Sequence, residues 1–171
     1  ILALFTIGFA GPEWDGLFQA LRKKEFPENL IFESGLCQRS SKGTPFDFFR
    51  SRVIFPIGNL KDKVIAFGGR TLGNDEPKYI NTPETEFFRK RYELFGLANG
   101  RRAIHEAGDT VMIVEGYLDV MALFQAGLKN AVAPLGTALT QEHVRVLKRY
   151  AEKALLIFDG DTARVNAALR S

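Results

Sequence analysis

The chain has 171 residues, of which 46% are hydrophobic and 25% charged, and this composition is typical of a folded globular protein. It excludes a disordered, collagen-like or coiled-coil chain, and the length predicts one domain or two small ones that share an interface. One cysteine cannot form an intramolecular disulfide, and one cysteine with two histidines cannot build a structural zinc site. We therefore expect a reducing compartment.

The net charge is unevenly distributed along the sequence. The total is +3, but residues 50–102 carry +5, while residues 1–49 and 103–171 carry −1 each. This concentration of positive charge predicts an anionic partner for the middle of the chain.

The sequence opens on an apolar stretch, ILALFTIGFAG, with no basic residue before it. The stretch is too short for a membrane span, and it lacks the basic flank of a signal peptide. Because the chain begins with Ile1 and ends within a helical pattern, we expect a piece of a longer protein that begins inside a strand or a buried turn.

The first eighty residues predict two helices and a small sheet. Apolar residues at helical spacing, with basic residues in the last turn, predict a helix over 13–24. A short helix over 27–33 and a polar loop over 38–44 follow. Segments 52–58 and 64–70, rich in Val, Ile and Phe on either side of the turn NLKDK, predict a β-hairpin. The segment KYI after it extends this small sheet.

From residue 98 the sequence alternates helices with strands. A helix over 98–107, closed by Gly108, comes first. The later elements are predicted over 110–114, 117–125, 131–133, 141–150 with Thr140 as N-cap, 154–158 and 163–169. The strands are almost entirely apolar, which predicts burial on both faces of a parallel sheet. The fold class is therefore α/β: an α+β subdomain with a small sheet, then a doubly wound, Rossmann-like, mostly parallel sheet truncated at its C-terminus.

Acidic residues directly follow two of the predicted parallel strands. Glu115 comes after the first of these strands, and Asp159 and Asp161 come after the third. The carboxyl ends of parallel strands meet at one edge, and Asp119 joins it because it lies four positions after Glu115 at a helix start. Clustered carboxylates repel unless a cation neutralises them, so we expect Mg²⁺ or Mn²⁺. Alternatively, the acids only cap the helices that follow.

Several motifs together resemble a known family. They read EGYLD at 115–119, FDGD at 158–161, RVIFPI and FGGR in the hairpin, and KYINTPET at 78–85. This set resembles the catalytic core of bacterial DnaG-type DNA primases, whose Toprim domain carries the Glu-Gly and Asp-x-Asp motifs. The resemblance covers nearly the whole chain. It implies a basic N-terminal subdomain over 1–107 and a Toprim subdomain over 108–171, both partial.

The resemblance implies template-directed, metal-dependent synthesis of short RNA primers on single-stranded DNA. It implies that Glu115 binds metal or acts as the base near the attacking 3′-hydroxyl. Asp159 and Asp161 would hold the Mg²⁺ ions of the incoming triphosphate, and Asp119 would assist them. The residues implied to contact nucleotide phosphates or the template are Arg50, Arg70, Lys78, Asn81 and Lys90.

The resemblance also implies cofactors and partners. The cofactor is Mg²⁺ or Mn²⁺, with zinc only in an N-terminal module that this chain lacks. The partners are a single-stranded DNA template, ribonucleoside triphosphates and the RNA–DNA hybrid, with a replicative helicase and single-strand binding protein contacted through other regions, and no membrane. The implied location is the bacterial cytoplasm, at replication forks of the nucleoid. Thr162, Arg164 and Asn166 depart from the family pattern, and we expect little or no primer synthesis by the chain alone.

Two other functions remain open from the sequence. A Toprim-containing topoisomerase or nuclease fragment would share the Glu-Gly and Asp-x-Asp motifs. A non-catalytic single-stranded DNA-binding module would use the acidic residues only as helix caps. Most of the phenylalanines are expected to pack between subdomains, and Cys37, beside a loop, is expected to be inert.

Overall fold

The computed structural model describes residues 1–74 and 76–158. The predicted helix over 163–169 and the predicted metal ligands Asp159 and Asp161 lie outside the described residues. Within the described part of the chain, no helix has both the length and the apolar character needed to cross a membrane.

Short elements form the first fifty residues. In chain order they are β1 (Gly8–Ala10), α1 (Gly16–Lys23), α2 (Glu28–Glu33), β2 (Cys37–Arg39) and β3 (Pro45–Asp47). Helix α1 begins later than predicted because the Asp47 carboxylate accepts hydrogen bonds from the amides of Leu17 (2.7 Å) and Phe18 (3.0 Å). The predicted loop over 38–44 is wrong at its start, since β2 and β3 pair antiparallel around it. Strands of three residues are too short to show an alternating pattern.

The predicted hairpin is confirmed as strands β4 (Arg52–Gly58) and β5 (Val64–Thr71). With β1 and the short strand β6 (Tyr79–Asn81), they form an antiparallel sheet in the order β1-β4-β5-β6. The Asn59 side chain closes the hairpin turn by accepting hydrogen bonds from the amides of Lys61 and Lys63. The β5–β6 register sets Arg70 opposite Tyr79.

Two neighbouring glycines make β5 thin enough for packing on both faces. A Cβ atom at Gly68 would lie 2.6 Å from the Tyr117 ring, and one at Gly69 would lie 2.6 Å from the Phe49 ring. Since successive residues of a strand face opposite sides of the sheet, the FGGR motif accommodates one aromatic ring on each side. The close approach of Tyr117 brings the second half of the chain directly against the first sheet.

A second sheet follows, and helices separate its parallel strands. Its elements are β7 (Leu94–Phe95), α3 (Leu97–Glu106), β8 (Thr110–Ile113), α4 (Tyr117–Gln125), β9 (Ala131–Pro134), α5 (Gln141–Leu147) and β10 (Lys153–Leu156). The strand order is β10-β8-β9-β7, with three parallel strands and an antiparallel edge strand, β7. The predicted alternation and the Thr140 N-cap are confirmed; β7 was not predicted.

Burial in the second sheet is uneven. Every residue of β9 and all but the first of β8 are buried, as predicted, whereas all four residues of β10 are exposed. The predicted burial of this third strand on both faces is therefore wrong in the described part of the chain, where β10 pairs only with β8. One hydrophobic core joins the two sheets, and it includes Phe5, Phe55, Met112, Tyr117 and Phe124.

We predict that Cys37 does not react with thiol reagents while the chain is folded. Its side chain is 1% exposed, and burial, aided by the nearby Asp47 carboxylate, raises the pKa of its thiol to about 12. The thiolate population at pH 8 is then roughly 1,000-fold below that of a free cysteine, and labelling should slow accordingly. Absorbance with an aromatic disulfide reagent measures the rate, with denaturant-unfolded chain as the control. Labelling of the folded chain at the unfolded rate would contradict this burial.

Candidate nucleotide and nucleic-acid site

The acidic edge of the second sheet lies where β8 meets α4. Val114 is buried, Glu115 is half-buried, and Gly116 is the N-cap of α4. The Asp119 carboxylate turns back and accepts a hydrogen bond from the Gly116 amide at 3.0 Å. Asp119 therefore supplies a hydrogen-bond acceptor to one of the amides that have no partner within the helix. The helix dipole also favours a negative charge at this end.

The donor chemistry at this edge suits a hard divalent cation, because Glu115 and Asp119 offer only oxygen atoms. Within residues 1–74 and 76–158, no three His, Cys, Asp or Glu side chains lie close enough together to hold a metal ion. Strand β10 is parallel to β8, with Leu156 paired to Ile113. The segment that directly precedes Asp159 therefore approaches the same edge as Glu115, consistent with the predicted metal set.

Tyr79, which is 40% exposed, is influenced by the charges of one cation and one carboxylate. The Arg70 guanidinium carbon lies 5.7 Å from the centroid of the Tyr79 ring. Burial raises the pKa of Tyr79; the nearby positive charge of Arg70 lowers it, and the negative charge of Asp119 raises it. The charges of Arg70, in the first sheet, and Asp119, in the second half of the chain, thus both act on one tyrosine. We call these three residues the Tyr79 junction.

A hydrogen-bonded bridge lies beside the Tyr79 junction. The Tyr117 hydroxyl donates to the side-chain oxygen of Asn81, and the Asn81 amide nitrogen donates to the Leu135 carbonyl at 3.0 Å. Burial raises the pKa of Tyr117, which keeps its hydroxyl protonated as a donor. Its ring contacts those of Phe95, at 4.7 Å between centroids, and Tyr79, at 6.2 Å. Asn81 is a predicted contact residue, and both polar atoms of its side chain are therefore hydrogen-bonded within the protein, to Tyr117 and to Leu135.

Lys78 has an exposed side chain on a fixed main chain. The Arg52 guanidinium, 7% exposed, donates hydrogen bonds to the carbonyls of Pro77 (3.0 Å) and Lys78 (3.2 Å). We did not single out Arg52 from the sequence, although a charged residue in a mostly buried strand was a signal. In the described chain, neither Lys78 nor Arg70 makes an ion pair, and the buried Arg70 Nε has no hydrogen-bond partner.

The other two predicted cations are held by different elements. The Arg50 guanidinium carbon lies 4.6 Å from the Trp14 ring centroid and 5.4 Å from that of Phe46, and a guanidinium N–H donates to the Asp47 carbonyl. Lys90 lies in the irregular segment before β7, and its carbonyl accepts a hydrogen bond from His143. The structure thus groups Arg70, Asn81 and Asp119 through two tyrosines, and fixes Arg50 and Lys90 separately.

Comparison with protein families gives two matches that together cover most of the chain. Residues 1–101 match the DNA primase catalytic core, N-terminal domain, and residues 109–171 match the Toprim domain. The chain is thus a Toprim protein whose first sheet is of the primase type.

Relatives agree with these matches. The DNA primase of Halalkalibacterium halodurans is 48% identical over 98% of this chain, and that of Escherichia coli K12 is 40% identical over all 171 residues of this chain. The chain belongs to the family of bacterial DnaG-type DNA primases. It spans 28% and 29% of those two proteins.

Solved structures of primases share the fold. The Escherichia coli primase catalytic core has a TM-score of 0.87 at 42% identity, covering 99% of this chain and 54% of that one. The RNA polymerase domain of Mycobacterium tuberculosis DnaG has a TM-score of 0.90 at 37% identity, covering 99% and 57%. A DnaG primase catalytic domain bound to single-stranded DNA has a TM-score of 0.88 at 42% identity, covering 99% and 54%. The mixed α/β architecture predicted from the sequence is confirmed.

Proposed function

We propose that the chain forms part of the centre at which a primase joins ribonucleotides into RNA primers on a single-stranded DNA template. The Tyr79 junction carries this proposal, because it sets Arg70, a cation that makes no ion pair within residues 1–74 and 76–158, near the acidic edge of the Toprim sheet. The bound DNA of one structural relative supports the choice of template. The match of residues 1–101 favours a primase over a Toprim topoisomerase or nuclease.

The acidic residues have two proposed roles, as metal ligands and as a residue that fixes the main chain beside them. We propose that Glu115, Asp159 and Asp161 hold Mg²⁺ or Mn²⁺ and that Asp119 assists by fixing the turn at Gly116. A divalent cation bound here would neutralise phosphate oxygens during nucleotidyl transfer. Glu115 is half-buried, which restricts its motion and suits a residue that must point at one atom.

The basic residues bind phosphate in this proposal. Arg70 and Lys78 would contact the incoming triphosphate or the template, and Arg50 and Lys90 the nucleic-acid backbone farther away. Asn81 remains a candidate contact, and its hydrogen bonds hold it next to Tyr117. The proposed subdomains remain 1–107 and 108–171, in a bacterial cytoplasmic replication protein whose helicase and single-strand binding protein contacts use other regions.

Salt dependence of DNA binding tests the basic surface. Each phosphate contact to a single strand contributes about −0.7 to the slope of log K against log salt. We therefore expect Lys78→Ala to flatten this slope by about 0.7, as measured by fluorescence anisotropy of a labelled single-stranded oligonucleotide. Arg70→Ala should act likewise.

Lys63→Ala is the matched control, because Lys63 is exposed in the hairpin turn and also makes no ion pair among the described residues. It should leave the slope unchanged. Equal slopes for the wild type, Lys78→Ala and Arg70→Ala would contradict the assigned phosphate contacts.

A further inference from the structure

The segment over 84–92, which precedes β7, has no regular secondary structure, yet its main chain is fixed at several points. Phe88 is 0% exposed, and Thr85 and Phe88 exchange two main-chain hydrogen bonds. The Lys90 amide donates to the Glu84 carboxylate at 3.1 Å. Lys90 and Arg91 therefore project from a segment whose path is set by contacts rather than by a helix or strand.

The start of α5 supplies two further contacts to this segment. The Thr140 hydroxyl donates to the Arg91 carbonyl at 3.0 Å, and the same oxygen caps α5 by accepting the His143 amide at 3.1 Å. The His143 ring lies 2.8 Å from the Lys90 carbonyl at Nε2 and 3.1 Å from the Thr140 amide at Nδ1. Since the carbonyl can only accept and the amide can only donate, the ring carries its proton on Nε2.

His143 is suited to a fixed, neutral role. Its side chain is 0% exposed, and burial lowers its pKa, while the carbonyls of Lys90 and Glu93 and the charge of Glu142 oppose that shift. A second ring proton would point at the Thr140 amide, which is itself a donor. The neutral His143 ring therefore accepts the Thr140 amide at the start of α5 and donates to the Lys90 carbonyl at the same time.

We propose that His143 and Thr140 are positioning residues that hold the main chain of Lys90 and Arg91 against the Toprim half, so that both cations meet nucleic-acid phosphates from a fixed place. This inference rests on the proposed function. A long basic side chain loses conformational freedom when it binds phosphate, and a main chain that is already fixed reduces the remaining ordering cost. Neither cation makes an ion pair in the described chain, so both remain available for an anion.

Two substitutions separate the two hydrogen bonds of the ring. In His143→Asn the side-chain oxygen replaces Nδ1 and keeps the bond from Thr140, but nothing reaches Lys90. In His143→Gln the amide nitrogen replaces Nε2 and keeps the bond to Lys90, but the Thr140 amide loses its partner. Each variant creates a similar cavity and loses one hydrogen bond, so their stabilities should fall together.

The test measures hydrogen exchange of the amides over 84–92 and anisotropy binding of a single-stranded oligonucleotide. We expect His143→Asn to speed exchange and to weaken binding by about tenfold. His143→Gln should stay within about twofold of the wild type in binding, because it keeps the Lys90 bond.

The outcomes separate this inference from the proposed function. Unchanged exchange in His143→Asn overturns the positioning role, and so does faster exchange with equal binding by the Asn and Gln variants. A wild-type chain that binds no single-stranded DNA contradicts the proposed function. It also contradicts the positioning role, which depends on that function. Comparison of wild-type binding with variant binding shows which of the two has failed.

The pH dependence of stability provides an independent check of the ring's state. Because the His143 pKa is lowered on folding, its contribution is fully present above about pH 6.5 and is lost as the pH falls below that value. Exposed His105, whose pKa is raised by Asp109, behaves oppositely. Proton NMR should show one histidine titrating on each side of pH 6.5, and His143→Asn should remove the lower one. If both histidines titrated above pH 6.5, the assignment of His143 as a neutral positioning residue would be overturned.

Discussion

Primer synthesis by a complete primase that carries these residues is expected to fall by about 100-fold when Glu115 is replaced by glutamine, equivalent to about 2.7 kcal/mol in the barrier. Glutamine keeps the size of the side chain and one acceptor oxygen but removes the negative charge. If Glu115 holds a divalent cation at the end of β8, the loss of charge weakens that site directly. Incorporation of labelled ribonucleotides on single-stranded DNA measures the effect.

Two variants serve as comparisons for Glu115→Gln. Glu106→Gln changes an exposed carboxylate at the end of α3 and should preserve synthesis within about twofold, since its ion pair with Arg102 is a surface pair. Asp119→Asn keeps an acceptor for the Gly116 amide and so separates helix capping from charge. Synthesis by Glu115→Gln within threefold of the wild type, at normal stability, would contradict the proposed role of Glu115 as a metal ligand.

Replacement of Asp47 with alanine is expected to lower the free energy of unfolding by about 3 kcal/mol. The Asp47 side chain is buried and accepts the amides of Leu17 and Phe18, and the Cys37 thiol lies 3.5 Å from the same carboxylate. Alanine would leave two donors at the start of α1 without partners and would remove a negative charge favoured there by the helix dipole. Urea denaturation followed by circular dichroism measures the change.

Asp47→Asn is the informative control for this prediction. An asparagine retains one acceptor oxygen but presents an amide group where the second acceptor was, so about half of the loss is expected. Equal stability of the alanine variant and the wild type would show that the start of α1 is held by other means.

Local sequence signals were sufficient for the elements that have them. Helix α4 begins and ends where its apolar spacing and Gly127 predict, and the hairpin follows from two β-branched runs around a turn. The strands that escaped prediction, β2, β3 and β7, are two or three residues long and are defined by their partners. Strand β7 pairs with β9, nearly forty residues later, and no local pattern encodes such a contact.

The candidate site likewise has features that local sequence predicts and features that it does not. The carboxyl ends of parallel strands lie at one edge of the sheet, and so the place of Glu115 after β8 could be predicted. The charges that act on Tyr79 could not be predicted, because Arg70 and Asp119 belong to different halves of the chain. The bridge from Tyr117 through Asn81 to Leu135 likewise spans 36 and 54 residues of sequence. Such bridges depend on tertiary packing, which composition and periodicity do not encode.

The edge strand β7 and helix α3 bear on how primases are built as modules. Both precede residue 108, yet β7 completes the parallel sheet through β9, and Leu97 and Ile104 of α3 share a core with Val111 and Val132. A transplanted Toprim half that began at residue 108 would expose this core and leave β9 without one neighbour. A Toprim half transplanted into another primase should therefore begin near Leu94, so that β7 and α3 move together with the sheet they contact, although the family resemblance places the subdomain boundary after residue 107.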